Sequence, residues 1–312
     1  MSLLGAIKGR GGPSGFGFGS TAEEVTAGLD LGGKRILITG INSGLGRESA
    51  RVLASRGATI LGAARTREKA EEALAGLEGD RHVPLACELS EPDSVKACVD
   101  VVRNLPPVDV LLCNAGIMSL PTRQTKHGHE LQFLTNHVGH FLLVTGLTDR
   151  LREEGRVVML SSAAHGWAPE GGIRFDDLSF AEGYTPRAAY GQSKLANLLF
   201  AKALAKRLDG GRTANAVHPG VIWTNLGRHM GLVNLIAPAV AWAFLKDVHE
   251  GAATQCYVAT HPSLAGVTGE YFADSNVARP SRHARDEALA ERLWDVSVEI
   301  ARALGHEVRQ AA

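Results

Sequence analysis

Three glycines stand close together in Thr39-Gly-Ile-Asn-Ser-Gly-Leu-Gly46, where a β-branched run gives way to a helical pattern. Each glycine has a separate use. Gly40 allows a tight exit from the strand, Gly44 lets backbone approach a ligand, and Gly46 permits close packing of helix on sheet. A helix that starts here aims free N–H groups and the positive end of its dipole at the turn, which suits a pyrophosphate. The spacing is GxxxGxG rather than GxGxxG, so the position of the turn carries the reading. Gly40, Asn42, Ser43, Gly44, Leu45 and Gly46 are the candidate contacts.

The second strand ends in Gly62-Ala-Ala-Arg65, with no acid to bond the ribose hydroxyls of NAD(H). Arg65 offers a planar cation that pairs with a 2′-phosphate, which favours NADP(H) over NAD(H). Arg47 is placed to assist, and Arg67 competes with Arg65. Other chemistries lack their parts. His137, His140 and His165 have no carboxylate or cysteine at ligand spacing, so no metal site is expected. No GxSxG elbow accompanies the serines.

These residues need a scaffold. Strands are expected at Arg35–Thr39, Ala58–Ala63, His82–Cys87, Val108–Cys113, Arg156–Ser161 and Thr213–His218, with a last one at Tyr271 and Phe272. Helical patterns run over Gly44–Arg56, Thr66–Leu77, Ser90–Asn104, Gly128–Glu153, Ala188–Leu208, about Asn234–Thr260 with a break near Val248, and Arg285–Leu304. Strands alternating with helices imply βαβ units and a doubly wound parallel sheet, an α/β/α Rossmann fold in three layers. No linker divides the pattern. One domain is expected over 31–312, preceded by an arm over 1–30. Its first nineteen residues are read as flexible or loosely docked, followed by a helix over Thr21–Leu29 that Ser20 and Glu23 box at its start.

The chain has 312 residues, 45% of them hydrophobic and 21% charged, which fits a soluble globular protein and argues against disorder. Its 33 basic and 33 acidic residues cancel, so no global field for nucleic acid exists. The stretch Leu232 to Leu245 is apolar but short of a membrane span. The N-terminus lacks the parts of a signal peptide. Cys87, Cys98, Cys113 and Cys256 form no CxxC pair and read as buried thiols in a reducing cytoplasm.

Together, Thr39-Gly40 with Gly44-Leu-Gly46, Asn114-Ala-Gly116 and Tyr190-Gly-Gln-Ser-Lys194 resemble the short-chain dehydrogenase/reductase family, in order, over about residues 33–275. The wording of Thr135-Asn-His-Val-Gly-His-Phe141, Ser161-Ser-Ala-Ala-His165, Tyr190–Asn197 and Ala278-Arg-Pro-Ser281 is similar to its retinol dehydrogenase branch. Ser20-Thr-Ala-Glu-Glu-Val resembles the dehydrogenase part of WW-domain-containing oxidoreductases, although the chain has no room for WW domains.

The resemblance implies a tetrad. Tyr190 matches the acid/base. A free phenol titrates near ~10, too high for neutral-pH exchange. Lys194, one helical turn on, would lower it together with the charge of the oxidised nicotinamide, and would hold the ribose. Ser162, rather than Ser161, matches the serine that bonds the substrate oxygen. Asn136 matches the asparagine that anchors a water linking the lysine to solvent. Asn114, Ala115 and Gly116 would lie under the adenine ribose, Pro219, Gly220 and Val221 near the nicotinamide, and Thr224 by the carboxamide or pyrophosphate. Glu88 and Leu89 depart from the family, which has an aspartate there; they are still placed near the adenine.

Between the sixth strand and the next helix, where the family carries its substrate lid, lies an apolar segment, about 223–246, which reads as that lid or as a helix packed on the body or a partner. It implies a lipophilic alcohol, aldehyde or ketone as substrate, with hydride passing to or from NADP(H). Many relatives form dimers or tetramers through helices at 130–153 and 189–208, so a homodimer or homotetramer is one expectation and a monomer the other. A non-catalytic NADP(H)-binding regulator, or a lyase or isomerase on the same fold, are the rival functions.

Overall fold

A computed structural model describes residues 11–221 and 245–309. Thr224 and nearly all of the expected lid therefore lie outside the described residues. The strands are β1 (Arg35–Thr39), β2 (Thr59–Ala64), β3 (Val83–Ala86), β4 (Val108–Cys113), β5 (Thr125–Lys126), β6 (His129–Glu130), β7 (Leu151–Leu160), β8 (Thr213–His218), β9 (Tyr271–Ala273) and β10 (Asn276–Val277). Eight of them form one sheet in the order β10-β9-β8-β7-β4-β1-β2-β3. All its pairings are parallel except β9 with β10.

Along β1, alternate side chains go to opposite faces. Leu37 joins one apolar cluster with Phe141, Leu195 and Trp294, while Ile36 and Ile38 join the other with Val52, Leu53 and Cys256. The sheet is thus buried on both sides, which is why β1 and β4 read as continuous apolar runs. The helices Gly44–Ser55 and Ala253–Thr260 cover one face. Pro92–Arg103, Gly139–Thr145, Pro186–Ala205 and Glu287–Ala303 cover the other. The result is the expected single doubly wound domain.

Two expectations need correction. The long helix over Gly128–Glu153 is a composite. His127 and Gly128 have positive φ and turn the β5–β6 hairpin. A short helix (Leu131–Phe133), a π-helical turn (Leu134–Val138) and an α-helix (Gly139–Thr145) follow. Residues from Leu151 on are already strand, because Leu151 pairs with Val108 and Arg152 reaches Asp109 at 3.6 Å. Sheet pairing overrides the helical look of that charged run. The described part of the arm, from residue 11 on, is also better anchored than expected. Asn276 accepts from Ser14 N at 2.9 Å and donates to Phe16 O at 2.9 Å, and Phe16 packs edge-on against Tyr257. The capping box is Thr21 with Glu24, one residue later than expected, on a helix of only four residues.

The helices expected to pair between copies are largely interior. Pro186–Ala205 buries most of its length, and the chain's own Glu287–Ala303 helix lies over it, with Trp294 stacked on Phe200.

Candidate active site

The carboxyl ends of β3, β2, β1, β4, β7 and β8 lie along one edge, with the change of winding direction between β1 and β4. In open parallel sheets, that is where ligands bind. Every candidate residue in the described part stands on the loops or helices at this edge.

The glycine turn is built for close approach. Gly40 has φ +71°, and a Cβ there would stand 3.0 Å from Ala115. A Cβ on Gly46 would stand 2.6 Å from Asn114 Nδ2 and closer still to the Gly40 carbonyl oxygen. Gly44 differs: its φ is +54°, and nothing lies within 4 Å of a Cβ position. Its backbone faces open space. Thr66, Thr185, Asp247 and Asp286 each cap a helix with a side-chain bond, whereas Ser43 makes none. No acidic residue occupies that first turn either. Its free N–H donors and dipole fit the pyrophosphate of a dinucleotide.

Around this turn the cations divide. Arg67 is paired with Glu71 at 2.8 Å. Arg65 and Arg47 are exposed, and neither pairs with another of the described residues. Of the two candidates, Arg67 has its guanidinium already engaged. Glu88 spends its carboxylate on Ser90, at 3.0 Å to the hydroxyl. Leu89 is buried, and its backbone packs so tightly on the Gly139–Thr145 helix that Gly139 has no room for a Cβ.

Asn114, Ala115 and Gly116 are locked to β1. Thr39 Oγ1 accepts from Asn114 N at 2.9 Å and Ala115 N at 3.0 Å, and Asn114 Nδ2 donates to Thr39 O. Gly116 lies between the tetrad members: a Cβ there would stand 3.1 Å from Asn136 Oδ1 and 3.4 Å from Lys194 Nζ. Gln255 was not anticipated. Its amide donates to Ser49 Oγ at 2.6 Å and Asn114 Oδ1 at 3.3 Å, bracing the turn from the far helix. Only tertiary contact reveals it.

The four tetrad positions converge. Burial pushes the Tyr190 phenol up to about 12, and a hydrogen bond with Ser162 opposes that rise. Ser162 Oγ accepts from Ala164 N at 3.1 Å, so its own proton is free to go to the phenol oxygen. Ser161 is used elsewhere: its hydroxyl donates to Lys194 O at 2.7 Å. The structure thus separates two serines that chemistry alone did not. Lys194 Nζ donates to Leu160 O at 3.0 Å and lies 5.8 Å from the centre of the Tyr190 ring. Burial lowers its ammonium to about 8. Burial thus dominates the phenol, and it is Ser162, not this ammonium as expected above, that opposes the rise.

Asn136 sits in the π-helical turn, a distortion that recurs at functional sites. Its amide accepts from Ile117 N at 2.8 Å and donates to Ile117 O and Ser193 Oγ, both at 2.9 Å. Both amide hydrogens are thereby committed. The side chain braces the loop after β4 against the helix of Tyr190 and Lys194. At the far end, Gly220 has φ +96°, and a Cβ would stand 2.6 Å from Lys246 Cδ. Pro219 is buried beside it, while Val221 is exposed and its carbonyl accepts from Lys246 N at 2.9 Å. Among the described residues, no group of three metal-ligating side chains occurs, and no helix is long and apolar enough to cross a membrane. All four cysteines are free and buried.

A doubly wound sheet with an uncapped glycine turn and a serine–tyrosine–lysine constellation on its carboxyl edge defines a dinucleotide-dependent oxidoreductase scaffold. Residues 34–173 match the model of the short chain dehydrogenases. The chain is 43% identical to a short-chain dehydrogenase of Brassica napus, TIC 32 B, chloroplastic, over 96% of this chain and 98% of the relative. It is 39% identical to human retinol dehydrogenase 14, over 89% and 90%. A blue fluorescent protein from a metagenomic library, solved in complex with NADPH, superimposes with a TM-score of 0.63 at 26% identity, over 78% of this chain and 96% of that one. The chain belongs to the short-chain dehydrogenase/reductase family of oxidoreductases, on the branch that resembles retinol dehydrogenases.

Proposed function

We propose that this protein is an NADP(H)-dependent oxidoreductase that interconverts a lipophilic alcohol and its carbonyl compound, with Tyr190 as acid/base. The observation that carries the reading is the convergence of Ser162, Tyr190, Lys194 and Gly116, with Lys194 Nζ 5.8 Å from the centre of the Tyr190 ring, on the edge that holds the open glycine turn. The nicotinamide, when bound, supplies or accepts the hydride. The residues do the rest. Tyr190 gives its proton to the substrate oxygen in reduction and takes it back in oxidation. Ser162 donates to the same oxygen. Lys194 keeps two N–H groups beyond the one given to Leu160, enough to reach a ribose hydroxyl and the phenol. The positive charge of an oxidised nicotinamide favours the phenolate, which burial alone disfavours.

NADP(H) rather than NAD(H) rests on the unpaired Arg65 and Arg47. The substrate class rests on two of the exposed large apolar side chains, Trp167 at 44% and Val221 at 63%, which stand on loops leaving β7 and β8 at this edge. The relative's name, retinol dehydrogenase, points to the same class. Four buried free thiols support the reducing cytoplasm as the compartment.

The test is NADPH oxidation against a panel of lipophilic aldehydes and ketones, with Tyr190→Phe beside the unmodified protein. Turnover should fall by about a thousandfold or more in the variant while NADPH affinity holds. Cofactor binding without turnover by the unmodified protein would favour the regulatory reading. Product without net NADPH consumption would favour a lyase or isomerase.

A further inference from the structure

Two buried histidines bond the backbone of the candidate tetrad. His140 is fully buried; its Nδ1 lies 2.8 Å from Asn136 O and its Nε2 2.9 Å from Thr39 Oγ1. His165 is 6% exposed; its Nδ1 lies 2.6 Å from Ser162 O, and its Nε2 accepts from Ser281 N at 2.9 Å.

The partners dictate where each proton sits. At His165 a backbone N–H points at Nε2, so Nε2 is bare and Nδ1 carries the hydrogen given to Ser162 O. At His140, Thr39 Oγ1 already accepts from Asn114 N and Ala115 N, which uses both lone pairs. Its own hydrogen must go to Nε2, and Nδ1–H then donates to Asn136 O. Burial lowers His140 to about 4 and lowers His165 as well, so both rings are neutral near pH 7.

We infer that His140 and His165 are positioning residues, each locked as the Nδ1–H tautomer and each holding the backbone carbonyl of a site residue, Asn136 or Ser162. His140 ties Asn136 to Thr39 and so to Asn114 and Ala115. His165 ties Ser162 to the segment Ala278–Ser281. This rests on the oxidoreductase reading above.

An asparagine places an amide N–H near the Nδ1 position; a glutamine places one near Nε2. The experiment therefore makes Asn and Gln variants at both positions and measures kcat, KM for NADPH and melting temperature. It also records nitrogen-15 spectra of the unmodified protein with labelled histidine. The expected result is two Nδ1–H neutral rings. At each position, Gln should lower kcat by about tenfold with KM for NADPH little changed, and Asn should restore most of that loss. Rings protonated on Nε2 in an active enzyme overturn this inference alone. Equal kcat losses in the Asn and Gln variants, tracking melting temperature, also overturn it, because packing then explains both. An inactive protein with both Nδ1–H rings intact sinks the oxidoreductase reading, and the positioning role goes with it.

Discussion

Burial lowers Lys194 to about 8 from an ordinary 10.5, so between those values the unfolded chain binds a proton that the folded chain does not. Stability contributed at this position therefore rises with pH across that window. Below it, the folded protein carries the full penalty of a buried ammonium, on the order of 3 kcal/mol. Lys194→Met should thus be inactive yet more stable than the unmodified protein at pH 7, by about that amount, with the advantage gone above pH ~10.5. Chemical denaturation without added cofactor, at several pH values, reads the difference. Leu160 O stays satisfied in the variant because Asn197 Nδ2 also donates to it, at 3.0 Å. Arg65 makes a different prediction. Arg65→Ala should weaken NADPH by about tenfold or more and leave NADH unchanged, as a titration of each cofactor would show. Equal losses for both would place Arg65 away from the 2′-phosphate. Among single residues, Tyr190, Lys194 and the glycines were candidates from the sequence alone, because their types and spacing are themselves the chemistry proposed. Ser162 was distinguished from Ser161 in the sequence by resemblance alone; the physical difference is that Ser161 bonds Lys194 O.

At the scale of elements, the glycine turn is a packing device as well as the proposed cofactor site. Gly46→Ala would drive a methyl group into Asn114 and the Gly40 carbonyl. A destabilisation of about 1–3 kcal/mol is expected, with weaker NADPH binding because the turn must shift. Denaturant midpoints and a cofactor titration measure the two effects; a silent Gly46→Ala would mean that the helix moves freely on the sheet. Strands β1, β4 and β8 were readable to the residue, since apolar or β-branched runs between turn residues leave few alternatives. The stretch from Gly128 to Glu153 was not. Its apolar spacing is helical in the middle. The hairpin before it depends on positive φ at His127 and Gly128, and the strand after it depends on pairing with β4. Neither is a local property.

For the molecule as a whole, Asn276 joins segments 260 residues apart by holding Ser14 N and Phe16 O. Asn276→Ala should cost about 1–3 kcal/mol of stability and leave kcat little changed, since the clamp lies on the β9–β10 edge. Thermal melting with a parallel activity assay checks it. A loss of activity without loss of stability would tie the N-terminal segment to the site. By itself the sequence determined the alternation of strand and helix, and hence the sheet and the candidate residues at its carboxyl edge. Period, glycine placement and side-chain chemistry are local and survive without knowledge of neighbours. Only the tertiary structure decided which serine faces the phenol, which arginine is unpaired, that Gln255 braces Asn114, and that His140 and His165 bond the backbone of Asn136 and Ser162. Each of those depends on which groups burial and hydrogen bonding have already claimed, and that is settled by contacts between segments far apart in the chain.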